Sequence, residues 1–213
     1  MRKAAEALDH VLLGAPTLEA GIAWLEDRTG VRAMMGGSHP GLGTWNALAS
    51  LGPAQYVEVI APDPAQPGVD TFYVPGLRDF VEPRIAAWAA RLGNLRHFTS
   101  APPKALLCEP LGQGSRVRPD GTRLAWSLAF PKDRERGTFG GALPFLIEWD
   151  EASAHPGGSA PSGLRLRSIS IGHPDQAALN GALEALDIEG AAREEKAASI
   201  RIELETPKGV VIL

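Results

Sequence analysis

The sequence predicts an α+β protein built from repeated β-α-β units. Short apolar runs typical of strands alternate with segments in which apolar residues recur every three or four positions. This order of elements repeats at about residues 8–60, 84–149 and, incompletely, 164–213. The chain has 213 residues, 44% of them apolar, and is therefore long enough to bury a substantial core. We expect one globular unit over 1–213, with two modules and a partial C-terminal β-α-β extension.

The first module is predicted over 8–64 with the order β-α-β-β-β. Its first strand is the apolar run 8–14, and the next segment carries apolar residues at helical spacing. Thr17 is a suitable N-cap for this helix, and Gly30 a suitable C-terminal stop. Three more strands are expected at 31–35, 45–51 and 55–60, with a loop over 36–43 and a turn at Gly52-Pro53.

A second module is predicted over 84–150, after a proline-rich connection at 61–76. Residues 84–91 suit either a strand or the end of a helix. Two strand-like runs between 115 and 130 flank Arg118-Pro119-Asp120-Gly121, a sequence typical of a turn. Further elements are expected as a strand at 143–149, a strand at 164–171, a helix opening at Pro174-Asp175, and a hairpin at 199–205 and 210–213.

Composition narrows the class of partner. The net charge of −4 and the pI of about 5.8 offer no general electrostatic reason to bind nucleic acid or an anionic membrane surface. Cys108 is the only cysteine, which excludes an internal disulfide and a four-thiolate zinc site. No run approaches the ~20 apolar residues that span a bilayer. We therefore expect a cytoplasmic protein whose partner is a small molecule.

His10 and Glu58 are the first candidate site residues. Each lies inside an apolar run that reads as a strand, where an unpaired polar side chain costs roughly 1–3 kcal/mol. If the two strands are neighbours, these groups can converge on a divalent ion or on a polar substrate. The alternative is a buried, hydrogen-bonded His-Glu pair. Glu148 repeats the strand-embedded carboxylate and is either a further ligand or a solvated strand end.

Other candidates lie near turns. His39, in a glycine-rich loop, could be a ligand, an acid-base group or a substrate contact, or part of a surface turn. Asn46 follows it and could donate to a substrate or close the turn. Arg116 and Arg118 share one strand face, and their planar guanidinium groups suit an anion.

Three segments together resemble the glyoxalase-like domain family of the vicinal oxygen chelate superfamily. They are Leu8-Asp9-His10-Val11, the loop His39-Pro40-Gly41-Leu42-Gly43-Thr44 with Asn46, and Tyr56-Val57-Glu58-Val59-Ile60-Ala61-Pro62-Asp63-Pro64. The resemblance is close over 8–64 and looser through 116–147. It implies paired βαβββ modules whose mixed sheets curl around a cavity, and a homodimer.

The resemblance also implies metal ligands at His10, at Glu58, near Trp88 and at Glu148. The segment Ala86-Ala87-Trp88-Ala89 holds no histidine, and His97 would fill that place only if the strand were 95–99. Three ligands could still hold Mg²⁺, Mn²⁺, Fe²⁺ or Zn²⁺, with His39 approaching from its loop.

The leading hypothesis is a metal-dependent enzyme acting on a small oxygenated substrate, as an isomerase, lyase or dioxygenase. Glu58, Glu148 and His39 are its candidate catalytic residues. The candidate substrate contacts are His39, Asn46, Trp88, Arg116 and Arg118. The competing hypothesis is a module that sequesters a small molecule without catalysis, with Trp45 and Trp88 supplying apolar surface.

Overall fold

The computed structural model describes residues 1–71, 74, 76–109, 112–117 and 121–213. In chain order its strands are β1 (Leu8–Gly14), β2 (Met34–His39), β3 (Thr44–Gly52), β4 (Gln55–Pro62), β5 (Arg84–Arg91), β6 (Leu106–Cys108), β7 (Gly112–Val117), β8 (Arg123–Ala129), β9 (Pro131–Asp133), β10 (Phe145–Trp149), β11 (Arg165–His173), β12 (Arg193–Glu194), β13 (Ser199–Thr206) and β14 (Gly209–Ile212). Its α-helices are α1 (Ala4–Ala7), α2 (Leu18–Thr29), α3 (Leu95–Ser100) and α4 (Gln176–Ala185), and 3₁₀ turns occupy Leu77–Asp79, Phe139–Gly141 and Pro156–Gly158.

An eight-stranded mixed sheet forms the centre of the fold, in the order β2-β3-β4-β1-β5-β10-β8-β7. Each half has the same arrangement: β1 pairs in parallel with β4, and β5 in parallel with β10. The halves meet where β1 and β5 run antiparallel. The predicted fold class, paired modules in a curled mixed sheet, is therefore confirmed.

The sheet curls until its two edge strands meet. Arg116 on β7 donates a hydrogen bond from Nη1 to the carbonyl oxygen of Gly36 on β2. This bond joins the last strand of the sheet order to the first, so the sheet is nearly closed and one of its faces lines an enclosed space.

Local sequence signals explain the long helix of the first module. The Thr17 hydroxyl accepts a hydrogen bond from the Ala20 backbone N–H at 3.2 Å, as expected of an N-cap. Gly30 ends the helix with φ of 80°, a left-handed conformation that glycine adopts without a Cβ penalty. Leu18 and Leu25 are fully buried, so the predicted apolar stripe faces the core.

The second strand differs from the prediction. It runs over Met34–His39 instead of 31–35, so half of the expected loop is part of the sheet. The reason is a bulge between Met35 and Gly37, where Gly37 has φ of 142°. The bulge lets pairing continue as far as His39 opposite Thr44, which places the histidine within the sheet.

The second module contains a helix that the sequence pattern does not predict. Residues 84–91 form strand β5, and α3 follows directly, with Asn94 accepting a hydrogen bond from the His97 backbone N–H at 3.2 Å. The expected turn at Arg118-Pro119-Asp120-Gly121 includes residues 118–120, which lie outside the described residues.

The C-terminal extension forms a separate four-stranded sheet in the order β12-β11-β13-β14. Strands β11 and β12 pair in parallel, and α4 connects them along the chain, which gives the expected β-α-β unit. The Asp175 side chain caps α4 by accepting from the Ala178 backbone N–H at 3.1 Å. In the part of the chain that the structure describes, every helix is too short or too polar to cross a bilayer.

Candidate functional site

The inner face of the curled sheet encloses a cavity. Its empty volume is about 500 Å³ when the space open to solvent at its mouth is included. The residues that line it are His10, Leu12, His39, Leu42, Asn46, Tyr56, Glu58, Arg116, Trp126, Leu128, Phe145, Ile147 and Trp149.

Glu58 lies at the centre of the polar part of the cavity. Glu58 is only 6% exposed to solvent, so its carboxylate needs hydrogen-bond partners within the protein. Asn46 donates a hydrogen bond from Nδ2 to Glu58 Oε1 at 2.7 Å. On the other side, Glu58 Oε2 lies 3.2 Å from His10 Nε2. Both carboxylate oxygens are thereby held in fixed positions at the cavity wall.

Asp9 holds the far side of the His10 ring. Its Oδ1 lies 2.8 Å from His10 Nδ1, and its Oδ2 accepts from Trp149 Nε1 at 3.2 Å. His155 Nε2 also lies 3.2 Å from Oδ2, and the Gly157 backbone N–H donates to His155 Nδ1 at 3.1 Å. Since His155 Nδ1 is an acceptor, its hydrogen is on Nε2 and points to Asp9.

These contacts fix the charge of Asp9 and the orientation of His10. Burial raises the pKa of the Asp9 carboxyl, but hydrogen bonds from His10 and His155 outweigh it and hold that pKa well below its usual range. An ionised Asp9 requires hydrogen on His10 Nδ1 and leaves Nε2 to share a proton with Glu58.

The contact between the neighbouring residues Asp9 and His10 depends on a bulge in β1. The register with β5 shifts between Leu8 and His10. As a result Leu8 and Val11 pack in the main core, whereas His10 and Leu12 face the cavity. In a regular strand Asp9 would point away from the His10 ring, since successive side chains alternate between faces.

His39 is a neutral member of the same network. Its Nδ1 lies 2.9 Å from the Thr44 hydroxyl, and its Nε2 lies 3.1 Å from Asn46 Nδ2. Burial lowers the pKa of His39, and the charges of Arg116 and His10 lower it further, whereas the charge of Glu58 opposes the shift. We therefore place hydrogen on Nδ1, so that Nε2 accepts from Asn46.

Tyr56 covers one face of the His10 ring. The two rings stack with centroids 4.6 Å apart and planes inclined by 17°. Burial raises the pKa of Tyr56 well above its ordinary value, and the charge of Glu58 adds to that shift. The phenol is therefore neutral, and the stacking restricts rotation of the imidazole.

The structure does not bring every predicted site residue to the cavity. His10, His39, Asn46, Glu58 and Arg116 lie together around it. Arg118 lies outside the described residues.

Glu148 is absent from the cavity wall because Phe145, Ile147 and Trp149 on β10 point inward and the residues between them point outward. Its carboxylate instead accepts hydrogen bonds from the backbone N–H groups of Asn94 and Leu95, at 2.6 and 3.0 Å, at the start of α3. Glu148 thus acts as a helix cap.

Trp88 and Trp45 also lie away from the cavity. Trp88 is fully buried in the main core and donates from Nε1 to the Ala142 carbonyl oxygen at 2.8 Å. Trp45 packs against the same core. On β5 the alternation turns Ala87 and Ala89 to the cavity side, opposite Leu12 and His10.

The expected metal set does not fit this geometry. His10 and Glu58 are in contact, but Glu148 is on the other face of the sheet and His97 is in α3 rather than β5. The β5 position paired with His10 holds Ala89, and the residues of β10 that line the cavity are Phe145, Ile147 and Trp149. Within the described ranges no group of three or more His, Cys, Asp or Glu side chains is arranged to hold a metal ion.

The sequence did not predict several residues that line the cavity or support His10. Asp9 and His155 gave no usable signal, because a bulge and a distant loop bring them together. Trp126 and Trp149 did carry a signal, since each belongs to an alternating apolar series on its strand. Together with Phe145 they supply the aromatic wall of the cavity.

Comparisons with known proteins identify the family. A model of the glyoxalase-like domain matches residues 8–186. No curated protein matches the sequence. A hypothetical protein from Staphylococcus aureus shares the fold with a TM-score of 0.66 at 13% identity, covering 96% of this chain and 83% of that one.

Two methylmalonyl-CoA epimerase structures are more distant. The enzyme from Mycobacterium tuberculosis has a TM-score of 0.41 at 19% identity, over 70% of this chain and 90% of its own. The enzyme from Streptomyces coelicolor has a TM-score of 0.42 at 12% identity, and the match covers 70% of this chain and 96% of that one. Similarity at this level does not establish a shared activity. On the match over 8–186, the chain belongs to the glyoxalase-like domain family.

Proposed function

We propose that this protein is an enzyme that transfers a proton on a small oxygen-bearing substrate, with Glu58 as the acid-base group. The observation that carries the proposal is the placement of the Glu58 carboxylate, buried at the cavity wall between His10 Nε2 and Asn46 Nδ2. A carboxylate held rigidly beside a pocket for small molecules is suited to proton transfer.

The chemistry follows from this arrangement. A C–H bond next to a carbonyl group gives its proton to Glu58, and the electron pair moves to the carbonyl oxygen as an enolate. Arg116, also in the cavity wall, provides positive charge for that oxygen. Return of the proton to the enolate oxygen or to a different carbon completes an isomerisation. In a lyase step the electron pair of the enolate instead forms a C=C bond as a group on the neighbouring carbon leaves with its bonding electrons. His10, oriented by Asp9, exchanges a proton with Glu58.

This proposal assigns no step to a metal ion. Divalent metals are common in the superfamily. In this chain His10, His39 and Glu58 come together, but the Asn46 amide nitrogen lies between His39 Nε2 and Glu58 Oε1. That nitrogen donates hydrogen to both atoms, so they face a donor group and not an ion. Dioxygenase chemistry would need a redox-active ion, so the isomerase and lyase types are favoured. The homodimer and the cytoplasm remain predictions.

Solvent-deuterium exchange tests the proposal directly. Butanone and phenylacetone, two neutral ketones with acidic C–H bonds, are incubated with the protein in D₂O and followed by proton NMR. We expect catalysed exchange by the wild type and a loss of about 100-fold or more in Glu58→Gln. Glu148→Gln is the matched control, because that carboxylate is on the other face of the sheet.

Three results would contradict the proposal. Exchange that is unchanged in Glu58→Gln would remove the assigned group. Exchange that requires stoichiometric bound metal, lost on chelation and in His10→Ala, would restore the metal-dependent alternative. Saturable ketone binding without exchange in the wild type would favour a sequestering protein.

A further inference from the structure

The two modules contribute chemically different halves to the cavity. The first module supplies the hydrogen-bonding side chains, namely His10, His39, Asn46, Tyr56 and Glu58. The second module supplies Trp126, Leu128, Phe145, Ile147 and Trp149, and its Arg116 lies at the seam with β2. A ligand that fills the cavity therefore needs one polar and one apolar end.

The apolar half is shaped by flat aromatic surfaces. The ring centroids of Trp126 and Trp149 are 5.5 Å apart and the ring planes are inclined by 58°, so the two rings form two walls of a corner. The ring centroids of Phe145 and His10 lie 5.6 Å apart with planes inclined by 66°, so the aromatic wall reaches the histidine that contacts Glu58. Aromatic walls favour offset-stacked or edge-on contact with another ring over contact with a flexible alkyl chain.

The charges around the polar half favour a neutral ligand. The Glu58 carboxylate faces the cavity, and the Asp9 carboxylate lies directly behind His10. Arg116 contributes one positive charge at the seam, where it also binds the Gly36 carbonyl oxygen, so it can polarise a ligand carbonyl while the two carboxylates disfavour a ligand anion. A ligand carboxylate beside the buried Glu58 would bring two like charges together, whereas a carbonyl or hydroxyl oxygen would not.

From these observations we infer that the ligand is a neutral compound in which one aromatic ring is joined, through a carbon or two, to a carbonyl- or hydroxyl-bearing carbon. The ring lies against Trp126 and Phe145, and the oxygen lies near Glu58. This inference rests on the proposed function for the polar end, and it names Trp126 as a residue that determines specificity.

Calorimetric titration with matched probes tests the inference. Phenylacetone, butanone and phenylacetate differ in ring and charge, and each is titrated into the full chain. We expect phenylacetone to bind about 10-fold or more tightly than either of the others. Trp126→Leu keeps an apolar side chain but removes the ring, and should reduce the preference for phenylacetone over butanone about 10-fold. Trp24→Leu, on α2 outside the cavity wall, is the control.

Phe145→Leu provides a second variant in case Trp126→Leu fails to fold, with thermal unfolding as the check. Equal affinity for phenylacetone and butanone, absence of phenylacetone binding, or tighter binding of phenylacetate would each overturn the inference. Glu58→Gln should retain the ring preference while losing deuterium exchange. A ring preference in a wild type that catalyses no exchange would therefore leave this inference standing and refute the catalytic proposal alone.

Discussion

Replacing Asp9 by asparagine should destabilise the protein and change the tautomer of His10. The Asp9 side chain is fully buried and faces three N–H groups, on His10, Trp149 and His155. An asparagine offers a single acceptor oxygen. If that oxygen keeps Trp149 and His155, its amide nitrogen faces His10 Nδ1, which must then become an acceptor.

The size of the effect follows from the bonds that change. A hydrogen bond to a charged group contributes about 1.5–3 kcal/mol, and a buried group left unsatisfied costs about 1–3 kcal/mol. With asparagine, about two of the three hydrogen bonds remain, and none of them is made to a charged acceptor. We therefore expect the free energy of unfolding, measured in urea at neutral pH, to fall by about 3 kcal/mol. The exposed Asp27→Asn should change it by less than about 0.5 kcal/mol.

Side-chain ¹⁵N NMR supplies the second measurement. In the wild type His10 should carry hydrogen on Nδ1, and in Asp9→Asn the hydrogen should move to Nε2. A loss of stability below about 1 kcal/mol, combined with an unchanged His10 spectrum, would refute the assignment of Asp9 as the group that orients His10.

Three further predictions test separate parts of the structure. Glu148→Ala removes a cap from α3, so the urea midpoint should fall by an amount equivalent to about 1 kcal/mol while ketone exchange stays at the wild-type rate; lost exchange would contradict the cap assignment. Gly141→Ala should cost about 2 kcal/mol or more in thermal or urea unfolding, because Gly141 has φ of 93° and a Cβ there would lie 2.2 Å from the Ala86 carbonyl oxygen; a neutral result would contradict this packing. Because the pKa of Asp9 is depressed in the folded state, its contribution to stability is complete above the unfolded value of 3.8 and is lost as the pH falls from there through the folded value. The acid-induced loss of stability should therefore be smaller in Asp9→Asn, and an identical acid profile would count against an ionised Asp9.

Sequence alone was sufficient where the signal is local. The N-cap at Thr17 and the stop at Gly30 each depend on residues close in the chain, whereas residues 84–91 suited a strand or a helix end until sheet pairing made them β5. The convergence of His10 with Glu58 was also predictable, since alternation and neighbouring strands bring the two side chains to one face.

Tertiary structure decided what depends on register and distant contact. The bulge at Asp9 turns its carboxylate toward His10, and pairing of β10 with its neighbours turns Glu148 outward. The loop holding His155 reaches Asp9 across 146 positions of sequence. No local pattern encodes these placements, because each depends on hydrogen bonds and packing between segments that meet only in the folded chain. The sequence by itself thus determined the family, the module order and the His10-Glu58 pair, whereas the closed sheet alone determined which residues surround that pair and that the cavity has one polar and one aromatic half.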